Sequence, residues 1–414
     1  MNNKKRVVVT GYGAVSSMGN NADEIWKNVM NYEVGYNYFD FSEHDIHSKF
    51  YGFFDLDKSL LKGISKKLLK QSPMFAKYSL IAAREAIEMS LNGMTLDEIA
   101  DDFERGTIIG TGYGGIDSIV ENSNHWFAEG YASSFSNVMT MKSIATAVVS
   151  MNWNLRGMQS SPVAACATGS IAIGEAYEAI KAGRAKYMVA GGTESIKHNY
   201  SLWTIDSIQA LNKSQEAQNL ASCPFDSNRS GFVLSEGAAV LCLEDYDNAK
   251  ARGATILAEI VGYANYSDCH DMTAPAEDLL ARVNVIKDLC KQGGTLPDYV
   301  NLHGTSTPLN DRNETAAFKA ALGNVAYEIP MSSTKSYTGH LIAAAGSIET
   351  IFCIKGMHDN VIPATRNLHN PDPECDLNYV PNEHMTSHNY DLAMNISFGF
   401  GGTNAGLMVK KYVD

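Results

Sequence analysis

Long hydrophobic runs are missing from this 414-residue chain. None of its apolar runs approaches the roughly 18–20 residues that a membrane-spanning helix needs. The segment Met1–Arg6 passes directly into Val7–Val9 without the apolar core of a signal peptide. These absences argue against a membrane protein and a secreted one, so we expect a cytoplasmic location and no membrane partner.

Paired cysteines and an excess of positive charge are also missing. The seven cysteines are an odd number without Cys-x-x-Cys spacing, which argues against a disulfide framework and a zinc site. We therefore expect no bound metal. Lys and Arg number 33 against 46 Asp and Glu, and the net charge of −13 argues against a nucleic acid partner. With 45% hydrophobic and 19% charged residues, the composition is that of a compact globular protein.

The most informative stretch surrounds Cys166. The small, apolar run Pro162–Ala165 leads into this cysteine, and a helix-forming run follows until Gly183, a typical helix stop. The pattern predicts a strand, a tight turn and a helix. A thiol at that turn would lie near unpaired helix N–H groups, which favour the thiolate. The alternative is a buried cysteine that acts only as a small hydrophobic residue.

Strand and helix patterns recur from Thr255 onward. The β-rich run at 256–262 repeats that at 6–11, and Ser332–Lys335 leads through His340 into a second helix rich in small residues. This recurrence predicts duplicated α/β halves, residues 1–254 with the cysteine and residues 255–414 with two histidines. It places Cys166 and His340 at equivalent corners, where two helix N-termini could face each other.

Several polar groups could act together with the thiol. His303 ends a predicted strand and His340 begins a helix, where a histidine stays neutral and can donate an N–H to an oxyanion. A cysteine with one histidine could also indicate a thiol protease, in which the histidine is a base. The second histidine and Lys335 fit charge stabilisation around a thioester better. The loop 398–404 could supply backbone N–H groups for an oxyanion hole, or could be an ordinary turn.

Four ordered motifs together resemble the β-ketoacyl-acyl-carrier-protein synthases of the FabF type. They are the Cys166 turn, His303-Gly304-Thr305-Ser306-Thr307, Ser333-Thr334-Lys335 with Gly339-His340, and Gly399-Phe400-Gly401-Gly402-Thr403-Asn404. The resemblance extends from Val7 to about Lys411. It implies the thiolase fold, with duplicated halves in five αβαβα layers, and a dimer. It also implies a decarboxylative Claisen condensation, with substrates carried on the 4′-phosphopantetheine arm of an acyl carrier protein and no cofactor bound by the chain.

The resemblance also assigns roles to individual residues. Cys166 would accept the acyl chain, and His303 and His340 would polarise the malonyl thioester carbonyl. The backbone N–H groups of Cys166 and Phe400 would hold the second oxyanion, with Phe400 gating the site. Three further assignments are a supporting ion pair of Lys335 with Glu314, contacts of Thr305 and Thr307 with the pantetheine arm, and substrate binding at Gly401 and Gly402.

Two subfamilies compete for the assignment. The segments Asp206–Ile208, Ser235–Ala239 and Asn310–Lys319 resemble ketosynthase α subunits of type II polyketide synthases, which pair with a homologous chain-length factor. The Gly-Gly-Thr-Asn stretch and Ala165–Gly169 resemble fatty-acid synthesis enzymes, which pair with themselves. We favour the polyketide assignment. A non-catalytic chain-length factor would lack the nucleophile, and a thiolase would carry a second cysteine near its C-terminus; neither fits this chain.

A lysine-rich window between residues 58 and 77 is the candidate docking surface for the acidic carrier protein. Lys66, Lys67 and Lys70 lie in a stretch from Ser59 to Tyr78 that contains no acidic residue. In so acidic a chain, such a stretch can steer an acidic partner. The alternative is a solvated helix face. Two departures from the family pattern, at 71–75 and Gln209, also bear on carrier-protein contact.

Overall fold

The computed structural model describes residues 5–214 and 217–413. Most of its strands form one ten-stranded mixed sheet, in the order β11-β10-β14-β15-β9-β1-β8-β6-β4-β5. The strands are β1 (Val7–Ser16), β2 (Asn37–Tyr38), β3 (Phe50–Gly52), β4 (Arg105–Gly110), β5 (Gln159–Ser160), β6 (Tyr187–Glu194), β7 (Leu234–Ser235), β8 (Gly237–Asp245), β9 (Ala258–Ser267), β10 (Tyr299–Asn301), β11 (Met331–Ser332), β12 (Val361–Ile362), β13 (Met385–Thr386), β14 (Leu392–Gly399) and β15 (Thr403–Lys411).

The sheet consists of two five-stranded groups with the same pairing pattern. In the first group β4 and β6 are parallel, and β6, β8 and β1 follow in antiparallel pairs. In the second, β10 and β14 are parallel, and β14, β15 and β9 follow in the same way. The groups meet where Val7–Val9 of β1 pairs with Ala258–Ile260 of β9. The duplication expected from the sequence is therefore present in the strand order.

Helices complete the layers. The α-helices are α1 (Ala22–Met30), α2 (Lys66–Gln71), α3 (Met74–Leu91), α4 (Leu96–Ile99), α5 (Ile116–Glu129), α6 (Ser136–Thr140), α7 (Ile144–Trp153), α8 (Thr168–Lys181), α9 (Asn199–Asp206), α10 (Tyr246–Ala251), α11 (Leu280–Gly293), α12 (Pro308–Leu322), α13 (Lys335–Thr338) and α14 (Ala345–Asp359). Short 3₁₀ turns span Ser42–His44, Lys58–Leu61, Asp102–Glu104, Ala165–Ala167, Gln218–Leu220, Gly323–Tyr327 and Ile342–Ala344.

The layer order follows from which strands each helix contacts. Helix α3 packs on β1 and β8, and α11 packs on β9 and β15. Helices α8 and α14 contact strands of both groups, and their apolar residues share one buried core with them. The layers are thus α3, the first strand group, α8 with α14, the second strand group, and α11 with α12. This is the five-layered αβαβα thiolase fold expected from the sequence.

The central helices touch through glycine. A Cβ on Gly169 of α8 would lie 2.5 Å from Ser347 Oγ and 2.6 Å from the carbonyl oxygen of Ala343, and one on Gly346 would lie 2.1 Å from Ser170 Oγ. Only residues without a side chain allow this approach of the two helix starts. The expectation that two helix N-termini face each other agrees with this packing.

The prediction that Cys166 and His340 occupy equivalent positions in the two halves is wrong by three residues. Each turn contains a non-glycine residue in the left-handed region, Ala165 with φ 46° and Ile342 with φ 49°. The residues after them are Cys166 and Ala343, so Ala343 occupies the position equivalent to the cysteine. The strand expected immediately before Cys166 is also absent from 161–164, since the nearest strand is β5.

The proposed division after residue 254 falls in the turn between α10 and β9, and it stays a prediction. Across the described ranges, none of the helices has the length and apolar character needed to cross a membrane.

Candidate active site

Cys166 lies in a strained turn at the start of α8. Ala165 holds a left-handed backbone angle, which costs a non-glycine residue on the order of 1–2 kcal/mol. The side chain of Thr168 stabilises the turn, because its Oγ1 accepts a 2.8 Å hydrogen bond from the Ala164 N–H. Across the turn, a Cβ on Gly399 would lie 2.5 Å from the Ala164 carbonyl oxygen. The close approach of this loop explains a glycine at position 399.

Burial governs the protonation of the cysteine. The Cys166 side chain is buried, and burial raises the pKa of its thiol to about 12. The charge of Lys335 and the backbone N–H groups of Phe400 and Cys166 lower the pKa, but by less. The expectation that the helix start alone would hold this residue as a thiolate is therefore wrong: desolvation outweighs the helix N-terminus.

Two histidines lie beside the thiol. One donor atom each from Cys166, His303 and His340 lie within 4.8 Å of one another, and all three residues are buried. The imidazole rings of the two histidines meet edge to face, with centroids 5.4 Å apart. Residues that are far apart in sequence thus lie together in the fold, as the motifs predicted.

The hydrogen bonding of His340 determines which ring nitrogen carries the proton. Nδ1 of His340 accepts a 3.2 Å hydrogen bond from the Ile342 N–H, so in the neutral ring the proton lies on Nε2. Nε2 is buried and has no protein partner among the described residues. Burial and the charge of Lys335 hold the pKa of His340 well below its usual range. His340 therefore presents a neutral N–H donor.

Hydrogen bonds to the backbone fix the position of His303. Glu314 accepts hydrogen bonds from the N–H groups of His303 and Gly304, at 2.7 and 2.8 Å. The His303 Nδ1 atom is buried without a protein partner among the described residues. Burial, followed by the charges of Lys335, His340 and Arg282, holds the pKa of His303 well below its usual range. This ring is neutral too.

Lys335 is paired with a different glutamate from the one expected. Its ammonium donates a 2.5 Å hydrogen bond to Glu349 Oε1, and both side chains are buried. The expected pairing of Lys335 with Glu314 is wrong, because the Glu314 carboxylate is occupied by the His303 loop. Burial raises the pKa of Glu349 to about 7, and the charge of Lys335 opposes this shift.

The loop between β14 and β15 carries Phe400, which lines the same cavity as Cys166. Hydrogen bonding from the backbone N–H groups of Phe400 and Cys166 lowers the pKa of the Cys166 thiol. Gly401 and Gly402 have φ angles of 81° and 74°, which favour glycine. A Cβ on Gly402 would also lie 3.0 Å from the Cβ of Asp268. Backbone N–H groups beside a sulfur are the type of donor from which oxyanion holes are built.

A cavity of about 340 Å³ opens onto these groups. Cys166, His303, His340 and Phe400 line it. Of the residues expected to bind the pantetheine arm, Thr305, Thr307 and Gly402 also line the cavity, and Gly401 does not. The hydroxyl oxygens of Thr305 and Thr307 lie 2.9 Å apart. Lys66, Lys67 and Lys70 are exposed on α2 and are not part of this cavity wall.

The donor types of Cys166, His303 and His340 would also suit Zn²⁺. The buried charge of Lys335, which disfavours protonation of both imidazoles, disfavours a second cation in the same way. A neutral or anionic ligand fits this environment better.

The sequence analysis did not predict two polar residues of the site, Glu349 and Arg282. Glu349 interrupts the apolar run of α14, and Arg282 lies on the buried face of α11 with Ala281, Val285, Ile286 and Leu289. A charged residue on an apolar helix face signals a buried partner or a ligand. The charged residue on each apolar helix face was visible in the sequence, but the identity of its partner was not.

Both halves of the chain match family models. Residues 4–249 match the beta-ketoacyl synthase N-terminal domain and residues 257–369 the C-terminal domain. The 3-oxoacyl-[acyl-carrier-protein] synthase 2 of Synechocystis sp. is 38% identical, with 99% of each chain covered. That of Coxiella burnetii is 36% identical, covering 99% of this chain and 100% of the relative.

Solved structures agree with these matches. The ketosynthase of AntDE:AntF, described as a type II PKS acyl-carrier protein in complex with its ketosynthase bound to the hexaketide, has a TM-score of 0.90 at 30% identity, covering 99% of this chain and 100% of that one. The ishigamide ketosynthase/chain length factor has a TM-score of 0.89 at 25% identity over the same shares. The chain therefore belongs to the beta-ketoacyl synthase family and is a condensing acyltransferase, a β-ketoacyl-acyl-carrier-protein synthase.

Proposed function

We propose that this enzyme condenses a Cys166-bound acyl chain with malonyl carrier protein. In the first half-reaction Cys166 loses its proton and its sulfur attacks the acyl thioester, so that the carrier thiol leaves and takes up the proton. In the second, the C–C bond to the malonyl carboxylate breaks and carbon dioxide leaves. The electron pair becomes an enolate, whose carbon attacks the acyl-cysteine. Cys166 leaves as a thiolate and takes up a proton.

The observation that carries the proposal is the protonation of His340. A neutral Nε2–H without a protein partner, beside the nucleophile, can donate to the thioester oxygen on which the enolate charge develops. His303 supports it as a second neutral imidazole. Two donors fixed before the reaction need no reorganisation as the charge appears. Burial, reinforced by the charge of Lys335, keeps both rings neutral. The N–H groups of Phe400 and Cys166 would hold the oxyanion of the second addition.

The experiment is to incubate the protein with acyl-loaded carrier protein and with malonyl carrier protein labelled with ¹³C in its free carboxyl. We expect an acyl mass on the protein, mapped to Cys166, release of labelled carbon dioxide, and a β-ketoacyl product without label. Label retained in the product, or acylation that maps elsewhere, would overturn the mechanism.

For the pathway we propose type II polyketide synthesis, with a homologous chain-length-factor subunit as partner. The segments around Asp206 and Asn310 support it, as does the likeness to the hexaketide-bound ketosynthase at 30% identity. Helix α5 adds a reason to expect a partner subunit: none of its described residues is buried, and Trp126 and Phe127 are 58% and 86% exposed. An apolar patch of this kind marks an interaction surface.

A second candidate is chain elongation in fatty-acid synthesis as a homodimer. The relatives at 36–38% identity over the whole chain are 3-oxoacyl-[acyl-carrier-protein] synthases 2, which favours this candidate. The chemistry at Cys166 is the same in both pathways, so the products and the partner decide. A polyketide enzyme would build poly-β-keto chains from malonyl units. A fatty-acid enzyme would extend a saturated primer by one two-carbon unit.

A further inference from the structure

Arg282 is an unusual residue for its position. It lies near the start of α11, on the helix face that packs into the core, and is only 5% exposed. Its guanidinium stacks on the Phe398 ring, with Cζ 4.0 Å from the ring centroid. Nη1 donates a 3.2 Å hydrogen bond to Asn310 Oδ1. An amide and an aromatic face fix the orientation of the guanidinium without neutralising its charge.

The charge of Arg282 is not compensated by a direct partner. Among the described residues no carboxylate forms an ion pair with it, and its Nε is buried without a hydrogen-bond acceptor. Burial lowers the pKa of Arg282 to about 10, although Glu314, Asp268 and Asp311 act in the opposite direction. A buried cation with unused donors is costly for the fold. Such a cost points to a ligand that satisfies it.

Arg282 forms part of the wall of the reaction site. Arg282 lines the same cavity as Cys166 and His303. The Phe398 ring on which it stacks also contacts the His303 ring edge to face, with centroids 5.8 Å apart. The Phe398 ring therefore contacts both the guanidinium and the His303 imidazole, and all three belong to the wall of one cavity.

We propose that Arg282 binds the carboxylate of the malonyl extender unit and so selects it over uncharged acyl groups. The inference rests on the proposed function and adds a recognition residue to it. A guanidinium matches a carboxylate in geometry as well as in charge. The pantetheine phosphate offers similar chemistry, but the whole pantetheine arm separates it from the thioester, whereas the malonyl carboxylate lies one methylene away from the carbonyl.

This role predicts a particular kinetic signature. As carbon dioxide leaves, the negative charge moves away from the carboxylate and onto the thioester oxygen near His303 and His340. The attraction to Arg282 is therefore strongest in the ground state and weakens in the transition state. Losing it should raise KM for malonyl carrier protein without lowering kcat. A residue that merely supported the fold would lower kcat as well.

The first test compares Arg282→Met with Arg282→Lys, which keeps the charge. We expect Arg282→Met to raise KM for malonyl carrier protein by about 10–100-fold, the usual scale for losing a charge-assisted hydrogen bond. Acyl loading of Cys166 should stay unchanged, kcat should not fall, and Arg282→Lys should recover part of the affinity. An unchanged KM, or a fall in both kcat and acyl loading, would overturn the proposal.

The second test measures binding alone, with amide analogues of the pantetheine arm that cannot transfer their acyl group. One analogue ends in a malonyl group and the other in acetoacetyl, which has the same shape without the charge. The wild-type protein should prefer the malonyl analogue, and Arg282→Met should abolish that preference. Equal weakening of both analogues would show a structural role, and a preference governed by the phosphate of the arm would assign Arg282 to phosphate. Either result contradicts the proposal, whereas failure of the proposed function would appear as a wild-type enzyme that releases no carbon dioxide.

Discussion

Lys335 and Glu349 form a buried ion pair, with 2.5 Å between Nζ and Oε1. Glu349 Oε2 has no hydrogen-bond partner among the described residues. Removing Lys335 would therefore leave a glutamate with no compensation at either oxygen. We expect Lys335→Met to destabilise the fold by about 3–5 kcal/mol, the usual cost of breaking a buried pair, as measured by urea unfolding.

The matched control removes both charges. Lys335→Met combined with Glu349→Leu should recover most of the lost stability, because an apolar pair costs no desolvation. Carbon dioxide release should remain impaired in this double variant, since the cation that adds to burial in lowering the pKa of both histidines is gone. A Lys335→Met protein as stable as wild type would show that the pair does not contribute to folding.

The raised pKa of Cys166 predicts the pH dependence of its alkylation. Because that pKa is about 12, the thiolate fraction should rise about tenfold per pH unit throughout pH 7–9. Alkylation by iodoacetamide should follow it without a plateau. The Lys335 charge lowers this pKa, so Lys335→Met should slow alkylation at every pH. A Cys269→Ser/Cys290→Ser background removes the other accessible thiols, and a plateau below pH 8 would contradict burial as the governing effect.

Replacing Cys166 with Ala should abolish acyl loading and chain elongation. Alanine fits the turn, because Ala343 already occupies the equivalent position in the second half. The urea unfolding midpoint should therefore stay close to that of wild type. If the Ala variant still acquires an acyl mass from acyl carrier protein, another residue is the nucleophile.

The two histidines should act as neutral donors. His303→Ala and His340→Ala should each reduce carbon dioxide release from malonyl carrier protein by about 10²–10³-fold, the usual effect of losing one oxyanion donor. His340→Gln should retain more activity than His340→Ala, since the amide can replace the Nε2–H. His44→Ala, at an exposed position, is the control.

The pH profile provides an independent check on the same histidines. Protonation of either ring would remove its donor role or change the charge at the site, and both pKa values lie well below the usual range. Between pH 6 and 8 both rings should stay neutral, so neither imidazole should add a step to the pH profile of decarboxylation. Glu349 and Glu314, each with a pKa raised by burial to about 7, titrate in the same window. A loss of half the activity near pH 6.5 that persists in Glu349→Gln and in Glu314→Gln would show a histidine with an ordinary pKa and contradict this assignment.

The motifs located three groups that the fold brings together, because Cys166, His303 and His340 each stand at a strand or helix end that the sequence marks with small residues. The sequence could not show which glutamate Lys335 reaches. Glu314 and Glu349 both lie on helices and both are buried, but only the folded chain directs Glu314 at the His303 backbone and Glu349 at the ammonium.

Two other failures also have physical causes. The helix start at Cys166 was visible in the sequence, but the depth of burial that raises its pKa was not. The left-handed angles of Ala165 and Ile342 identify equivalent residues in the two turns, and neither residue type signals such an angle. Sequence patterns reveal which groups a turn carries, whereas backbone strain and desolvation appear only once distant segments pack.

Lys66, Lys67 and Lys70 are predicted to dock the acidic carrier protein. They are exposed on α2. Exposed charges accelerate the association of two proteins, and salt screens this effect. Replacing all three with Glu should slow association, and the loss should shrink at high salt. The matched control is Lys27→Glu/Lys287→Glu/Lys410→Glu, which makes the same charge change at exposed sites elsewhere. Equal effects of both triple variants would show that the lysines of α2 are only a solvated helix face and do not bind the carrier protein.

The last prediction concerns the partner subunit. The exposed apolar residues of α5, together with the outer edge of strand β5, should form the interface. An obligate interface often exceeds about 2,000 Å² in total. If the partner is a homologous chain-length factor, the chain made alone should be poorly soluble or inactive, and co-expression should give a heterodimer that builds poly-β-keto chains. Phe127→Asp, at an 86% exposed position, should weaken association without unfolding the subunit, which native mass spectrometry and urea unfolding would measure. An active homodimer that extends saturated primers would contradict the polyketide assignment, and the condensation chemistry at Cys166 would still hold.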